Sequence, residues 1–171
     1  LGGFYMSHVA LLRGINLGKI NKVDMKSLKA LFEEMGFQNV RTLIQSGNVL
    51  FDNLACDEQK IEAKLKETYG FEIPVTIRSK IELEAIQQHP LASKDQVYIM
   101  FLKQQISIEQ RELLNTIVED EFTVIDQKTI IIHLTQPYKV TKYTNAFFEK
   151  KLQITTTARN LNTVTKILMK M

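Results

Sequence analysis

Apolar residues recur along this chain in two rhythms, one of strands and one of helices. His8 to Leu12 is a short apolar run that closes on Arg13-Gly14, the mark of a buried strand. Asp24 stands ready to cap a helix whose apolar positions, Met25, Leu28, Leu31, Phe32 and Met35, fall at helical spacing. Gly36 follows where a left-handed stop belongs. Val40 to Ser46 and Asn48 to Asp52 read as strands flanking Gly47, a hairpin pattern. Asp57 opens a second helix with Ile61, Leu65 and Tyr69 on one stripe and Gly70 as its stop. Val75 to Arg78 then forms a strand after Pro74.

The second half repeats that order. Ile81 to Gln88 predicts a short connecting helix closed by Pro90, and Val97 to Leu102 a strand. Ser107 caps a helix carrying Ile108, Leu113, Leu114, Ile117 and Val118. Phe122 to Ile125 and Thr129 to Leu134 form a hairpin around Asp126-Gln127-Lys128. Thr141 or Thr144 begins a helix through Phe147, Phe148 and Leu152. Ile154 to Thr157 is the expected last strand, before a helix with Leu161, Val164, Ile167 and Leu168. The halves share element order and no sequence identity. The fold class expected is therefore α+β: two ferredoxin-like β-α-β-β-α-β units in tandem, antiparallel sheets with helices on one face. The units are expected at residues 6–79 and, with the terminal helix, 80–171. In the usual strand order 4-1-3-2, the end of the first strand and the tip of the central hairpin share one edge. That edge brings Arg13, Gly14, Ile15 and Asn16 toward Gln45, Ser46, Gly47 and Asn48, polar residues that packing does not require.

Composition removes several functions. The 171 residues include seven glycines and three prolines, and no glycine follows Gly70. A dinucleotide turn or a phosphate-binding P-loop needs glycines for positive φ and close backbone approach, and neither pattern occurs. The single Cys56 excludes an intramolecular disulfide and fits a reducing, cytoplasmic setting. The longest apolar run, Val97 to Leu102, falls far short of a membrane span, so no membrane partner is expected. The five residues before Met6 lack the charged start of a secretion signal and are expected to stand apart from the fold. Net charge is +3, unevenly spread. From Tyr138 onward seven cations face one anion, which makes that segment +6 and the remainder −3. A basic end on an acidic body suits an anionic partner, although a solvated helix surface accounts for it as simply.

Four motifs stand out: Ala10-Leu11-Leu12-Arg13-Gly14-Ile15-Asn16, Ile44-Gln45-Ser46-Gly47-Asn48-Val49, Thr141-Lys142-Tyr143-Thr144-Asn145, and Arg159-Asn160-Leu161-Asn162-Thr163-Val164. In this order they resemble a bacterial family known as domain of unknown function family 1697, from about Ser7 to Met171. The resemblance implies an α+β fold and no established activity. Two positions depart from the family pattern. Leu161 stands where a Trp is usual and Ala158 where a Thr precedes the Arg, so a pocket shaped by those residues would differ here.

Each candidate has a plain reading beside its functional one. Arg13, at the sheet edge beside Gly14, can hold a carboxylate or phosphate bidentately, or fix its own loop by an ion pair. The loop Gly14 to Val23, with Asn16, Lys19, Asn21 and Lys22 before a helix start, favours anions, but Asp24 competes for the cap. Gln45, Ser46 and Asn48 suit a binding edge and equally a turn. Ser46 lacks the nucleophile-elbow glycines. Arg159 and Asn160 are expected to precede or open the last helix, where a cation opposes the helix dipole and so asks for an anionic partner. His8, His89 and His133 make no metal pattern. Cys56 stands where a helix N-terminus can acidify a thiol, but has no adjacent base. The first strand has no aromatic and the third only Phe51, a poor match to RNA-stacking sheets. The leading expectation is a small anionic ligand bound by Arg13, Asn16, Gln45, Ser46 and Asn48, joined by Lys142, Arg159 and Asn160, with no cofactor and no nameable reaction. The alternatives are nucleic-acid association through the basic end, and an interaction module that dimerises by sheet edges.

Overall fold

The computed structural model describes residues 6–43, 47–53 and 55–171. They divide into two compact units, those up to residue 83 together with 167–171, and residues 84–166. Among the described residues no helix is long and apolar enough to cross a membrane.

The first unit begins β1(Met6–Leu12), α1(Met25–Glu34), β2(Gln38–Leu43), β3(Asn48–Asn53), α2(Glu58–Tyr69), β4(Val75–Ser79). The helices start where the sequence places caps. The Asp24 carboxylate accepts from Ser27 N, and the Asp57 carboxylate from Gln59 N and Lys60 N. Gly70 ends α2 in the left-handed conformation at φ +82°. The sheet order is β2-β3-β1-β4, all neighbours antiparallel. One sheet face, with Ala10, Leu12, Val49, Phe51 and Val75, packs on Leu28 and Phe32 of α1 and Ile61 and Leu65 of α2. Alternation along the strands does this: successive side chains leave opposite faces, and the apolar stripes of two amphipathic helices cover one of them.

The chain continues through α3(Lys80–Gln87), a 3-10 turn at Pro90–Ser93, β5(Val97–Leu102), α4(Ile108–Ile117), β6(Glu121–Ile125), β7(Thr129–His133), α5(Asn145–Leu152), β8(Thr156–Asn160) and α6(Leu161–Lys170). Its sheet repeats the first, β6-β7-β5-β8. Met100, Leu102, Ile130 and Ile132 pack on Leu114 of α4 and Phe148 and Leu152 of α5. This is the tandem α+β ferredoxin-like architecture. The last strand, expected over Ile154–Thr157, instead runs Thr156–Asn160. Gln153 turns the chain at φ +57°, and β5 supplies backbone partners from Leu102 back to Tyr98. Arg159 is therefore a strand residue, not a residue of the helix start.

Candidate functional site

In the first unit the end of β1 and the start of β3 do meet. Leu12 N donates to Gly47 O (2.8 Å), Leu11 is in register with Asn48, and Arg13 N donates to Pro74 O (3.0 Å). The same clamp recurs in the second unit: Leu102 N donates to Lys128 O (2.8 Å) and Lys103 N to Thr155 O (3.0 Å). The convergence thus belongs to the fold. The side chains there serve the backbone. Asn48 is fully buried and its amide donates to Leu43 O at 3.0 Å. Asn16, at φ +53°, clasps Val23 twice, donating to its carbonyl (3.1 Å) and accepting its N–H (2.9 Å). Arg13 is half-buried at this end. Gln45 and Ser46 lie outside the described residues.

Lys142, Arg159 and Asn160 belong to the second unit. Lys142 is exposed, its Nζ 5.3 Å from the centroid of the Tyr143 ring, beside a cavity of about 300 Å³ that also touches Asp120 and Thr135. Arg159 is buried, donating to Thr157 Oγ1 and to Ala158 O, both at 2.9 Å. Burial lowers its pKa to about 10, which leaves it a cation at neutral pH. Sequence reading missed its counterpart. Arg78 holds the equivalent place in β4, opposite Val9 as Arg159 is opposite Ile99, and is buried and lowered for the same reason. Each arginine precedes a polar residue that serves the next helix. Ser79 Oγ accepts from Glu82 N (3.3 Å), and Asn160 Oδ1 accepts from Thr163 N (2.8 Å). The shared Arg-then-cap pattern was the available signal, obscured by the shifted last strand.

Asn160 leads to a polar cleft of about 480 Å³, within the range of small-molecule sites. Gln96, Tyr98, Pro137, Tyr138, Leu161 and Asn162 line it. Tyr98 and Tyr138 meet edge to face, with ring centroids 4.3 Å apart at 74°. Gln96 sits at φ +48°, pinned by Leu134, whose N donates to Gln96 O (2.9 Å) and whose carbonyl accepts from Gln96 Nε2 (3.2 Å). The first turn of α6 contributes Leu161 and Asn162, so the partial positive charge of a helix N-terminus borders the cleft. On the rim, Lys94 Nζ pairs with Glu121 at 3.1 Å and His133 Nδ1 donates to Asp95 O at 2.7 Å. Leu161 forms part of the wall. The tyrosines escaped notice because Tyr98 lies in an apolar strand and Tyr138 in a loop far along the chain.

Elsewhere, a cavity of about 540 Å³ in the first unit is lined by Met35, Phe37, Cys56, Ile61 and Lys60. Burial, with Glu58 adding to it, pushes the Cys56 thiol up, against the acidification that its place before α2 suggested. Among the described residues no group of three His, Cys, Asp or Glu could hold a metal ion.

No curated protein matches this chain. Among solved structures it is similar to a conserved bacterial protein, SP0830 from Streptococcus pneumoniae, over 98% of each chain, with a TM-score of 0.75 and 23% identity. That likeness is one of fold. The sequence pattern of the family described as "Protein of unknown function (DUF1697)" matches residues 6–130, which contain the first two of the four motifs. With most of its length so matched, and the tandem sheets in place, the chain belongs to the DUF1697 family.

Proposed function

We propose that this protein binds a small molecule with a planar or aromatic part and an anionic group, in the cleft of the second unit. The observation that carries this reading is the meeting, in one cavity of ligand size, of the Tyr98–Tyr138 pair with the first turn of α6. Aromatic edges and faces suit a flat ring, and the helix N-terminus suits a carboxylate or phosphate. Nucleic-acid association is less well supported. Phe51, the one aromatic of the third strand, is fully buried against Phe32 and Phe37, and Lys150 and Lys151 occupy the last turn of α5, where the helix dipole favours cations.

The test is a ligand-observed NMR screen of aromatic carboxylates and phosphates beside their neutral analogues. Hits are expected only among the anions, and they shift the resonances of Tyr98, Tyr138 and Leu161. Tyr138→Ala weakens them by about tenfold, equivalent to about 1.4 kcal/mol. Asn162→Asp separates binding from folding. A carboxylate in the first turn of α6 raises stability by about 0.3–1 kcal/mol through the dipole, yet repels an anionic ligand. Equal affinity in Asn162→Asp, or hits that shift only resonances of the first unit, would sink the reading.

A further inference from the structure

The Gly14–Val23 loop, marked in the sequence by its asparagines and lysines, belongs to the first unit and is built for rigidity. Asn16 N donates to Asn21 O at 2.9 Å, and Leu17 and Ile20 exchange both backbone hydrogen bonds, at 3.1 and 2.9 Å. Asn21 Nδ2 donates to Gly14 O at 3.0 Å, while Asn16 holds Val23. Gly18 at φ +60°, followed by a residue at negative φ, matches a type II′ hairpin turn. Ile15 and Val23 anchor the base in the core, and Gly47 packs directly on Leu12 and Ile15. Residues of the first two motifs are therefore spent on holding this loop still.

What the loop holds out is apolar. Leu17 is 58% and Ile20 65% exposed, paired across the tip and so on one face of it. Exposed Lys19 and Lys22 accompany them, and from Gly14 to Lys29 the chain carries Lys19, Lys22, Lys26 and Lys29 against one acid, Asp24. The hairpin also satisfies the Leu17 and Ile20 backbone groups internally, so they need no hydrogen bonds from whatever the tip enters. We infer that the Leu17–Ile20 tip docks on an anionic lipid bilayer. The two aliphatic side chains enter the boundary between headgroups and acyl chains, and Lys19 and Lys22 meet the phosphates. Paired aliphatic residues with flanking cations fit a surface that offers both charge and apolarity. The sequence expectation of no membrane partner rested on the want of a spanning segment, which peripheral docking does not need.

The test is flotation of the full chain with phosphatidylcholine vesicles containing about a third phosphatidylglycerol, beside pure phosphatidylcholine. Binding is expected to the anionic vesicles alone, falling as salt is raised. The pairs Leu17→Ser/Ile20→Ser and Lys19→Gln/Lys22→Gln each lower the bound fraction about tenfold, with unfolding midpoints close to the parent's because these side chains are exposed. Absence of flotation overturns the inference and leaves the tip to a partner protein. Flotation undiminished in the Leu17→Ser/Ile20→Ser pair overturns it as well, since adsorption then rests on charge, the basic C-terminal segment included.

Discussion

A Cβ built on Gly47 would lie 3.0 Å from both the Cβ and the carbonyl O of Leu12 and 3.1 Å from Ile15 Cδ1, at φ +88°. Gly36 has a similar φ, +95°, but nothing within 4 Å of its Cβ position. The pair separates backbone strain from close approach. Gly36→Ala should cost about 1 kcal/mol, the price of a left-handed alanine, whereas Gly47→Ala should cost about 3 kcal/mol because strand backbone must move as well. Urea denaturation of both variants measures the difference, and equal losses would show that contact with Leu12 matters little. This residue scale is where the sequence was most ambiguous. Asn16 and Asn48 are legible as polar side chains that packing does not demand. Their partners, Val23 and Leu43, are backbone groups that composition cannot mark. Arg159 shows the same limit. Read as a cation at a helix start it asks for a ligand, whereas in its strand it already donates to Thr157 and Ala158.

Elements were legible wherever local chemistry determines their ends. Asp24, Asp57 and Ser107 cap where the pattern puts them, and Gly70 stops α2. The last strand was not legible at its true position, because Ala158-Arg159-Asn160 has no strand pattern and is held by pairing with Tyr98 to Met100. Long-range pairing overrides local propensity there. The start of α4 shows both kinds of control in one place. Ser107 Oγ accepts from Gln110 N (3.1 Å) and Gln110 Oε1 accepts from Ser107 N (2.8 Å), a complete capping box. Gln110 Nε2 also donates to Leu152 O (2.8 Å), tying α4 to the end of α5. Ser107→Ala removes only the local bond and should cost about 1 kcal/mol; Gln110→Ala removes the reciprocal bond and the tertiary tie and should cost about 2 kcal/mol. Chemical denaturation ranks them. If Ser107→Ala proves the costlier, the tie to Leu152 contributes nothing to stability.

At the scale of the whole molecule the repeat is one of topology. Both sheets run in the same order, and both place a buried arginine opposite the same position of the central strand. The cleft follows from that topology: residues 94–98, 137–138 and 160–162 lie together only once β8 pairs with β5, so no local window could reveal it. Chain order and unit membership also part company. The final residues 167–171 group with the first unit, where Ile167 is 1% exposed and Lys170 O accepts from Arg41 Nη2 at 2.8 Å. Ending the chain at Lys166 should lower stability by about 2–4 kcal/mol, from one buried isoleucine and one charge-assisted hydrogen bond. Hydrogen exchange should locate the damage. Amides of β2, on either side of Arg41, should lose protection while those of β5 and β7 keep theirs. Protection lost to the same extent in β5 would mean that the terminal residues stabilise both units alike, and the grouping of 167–171 with the first would then carry no energetic meaning.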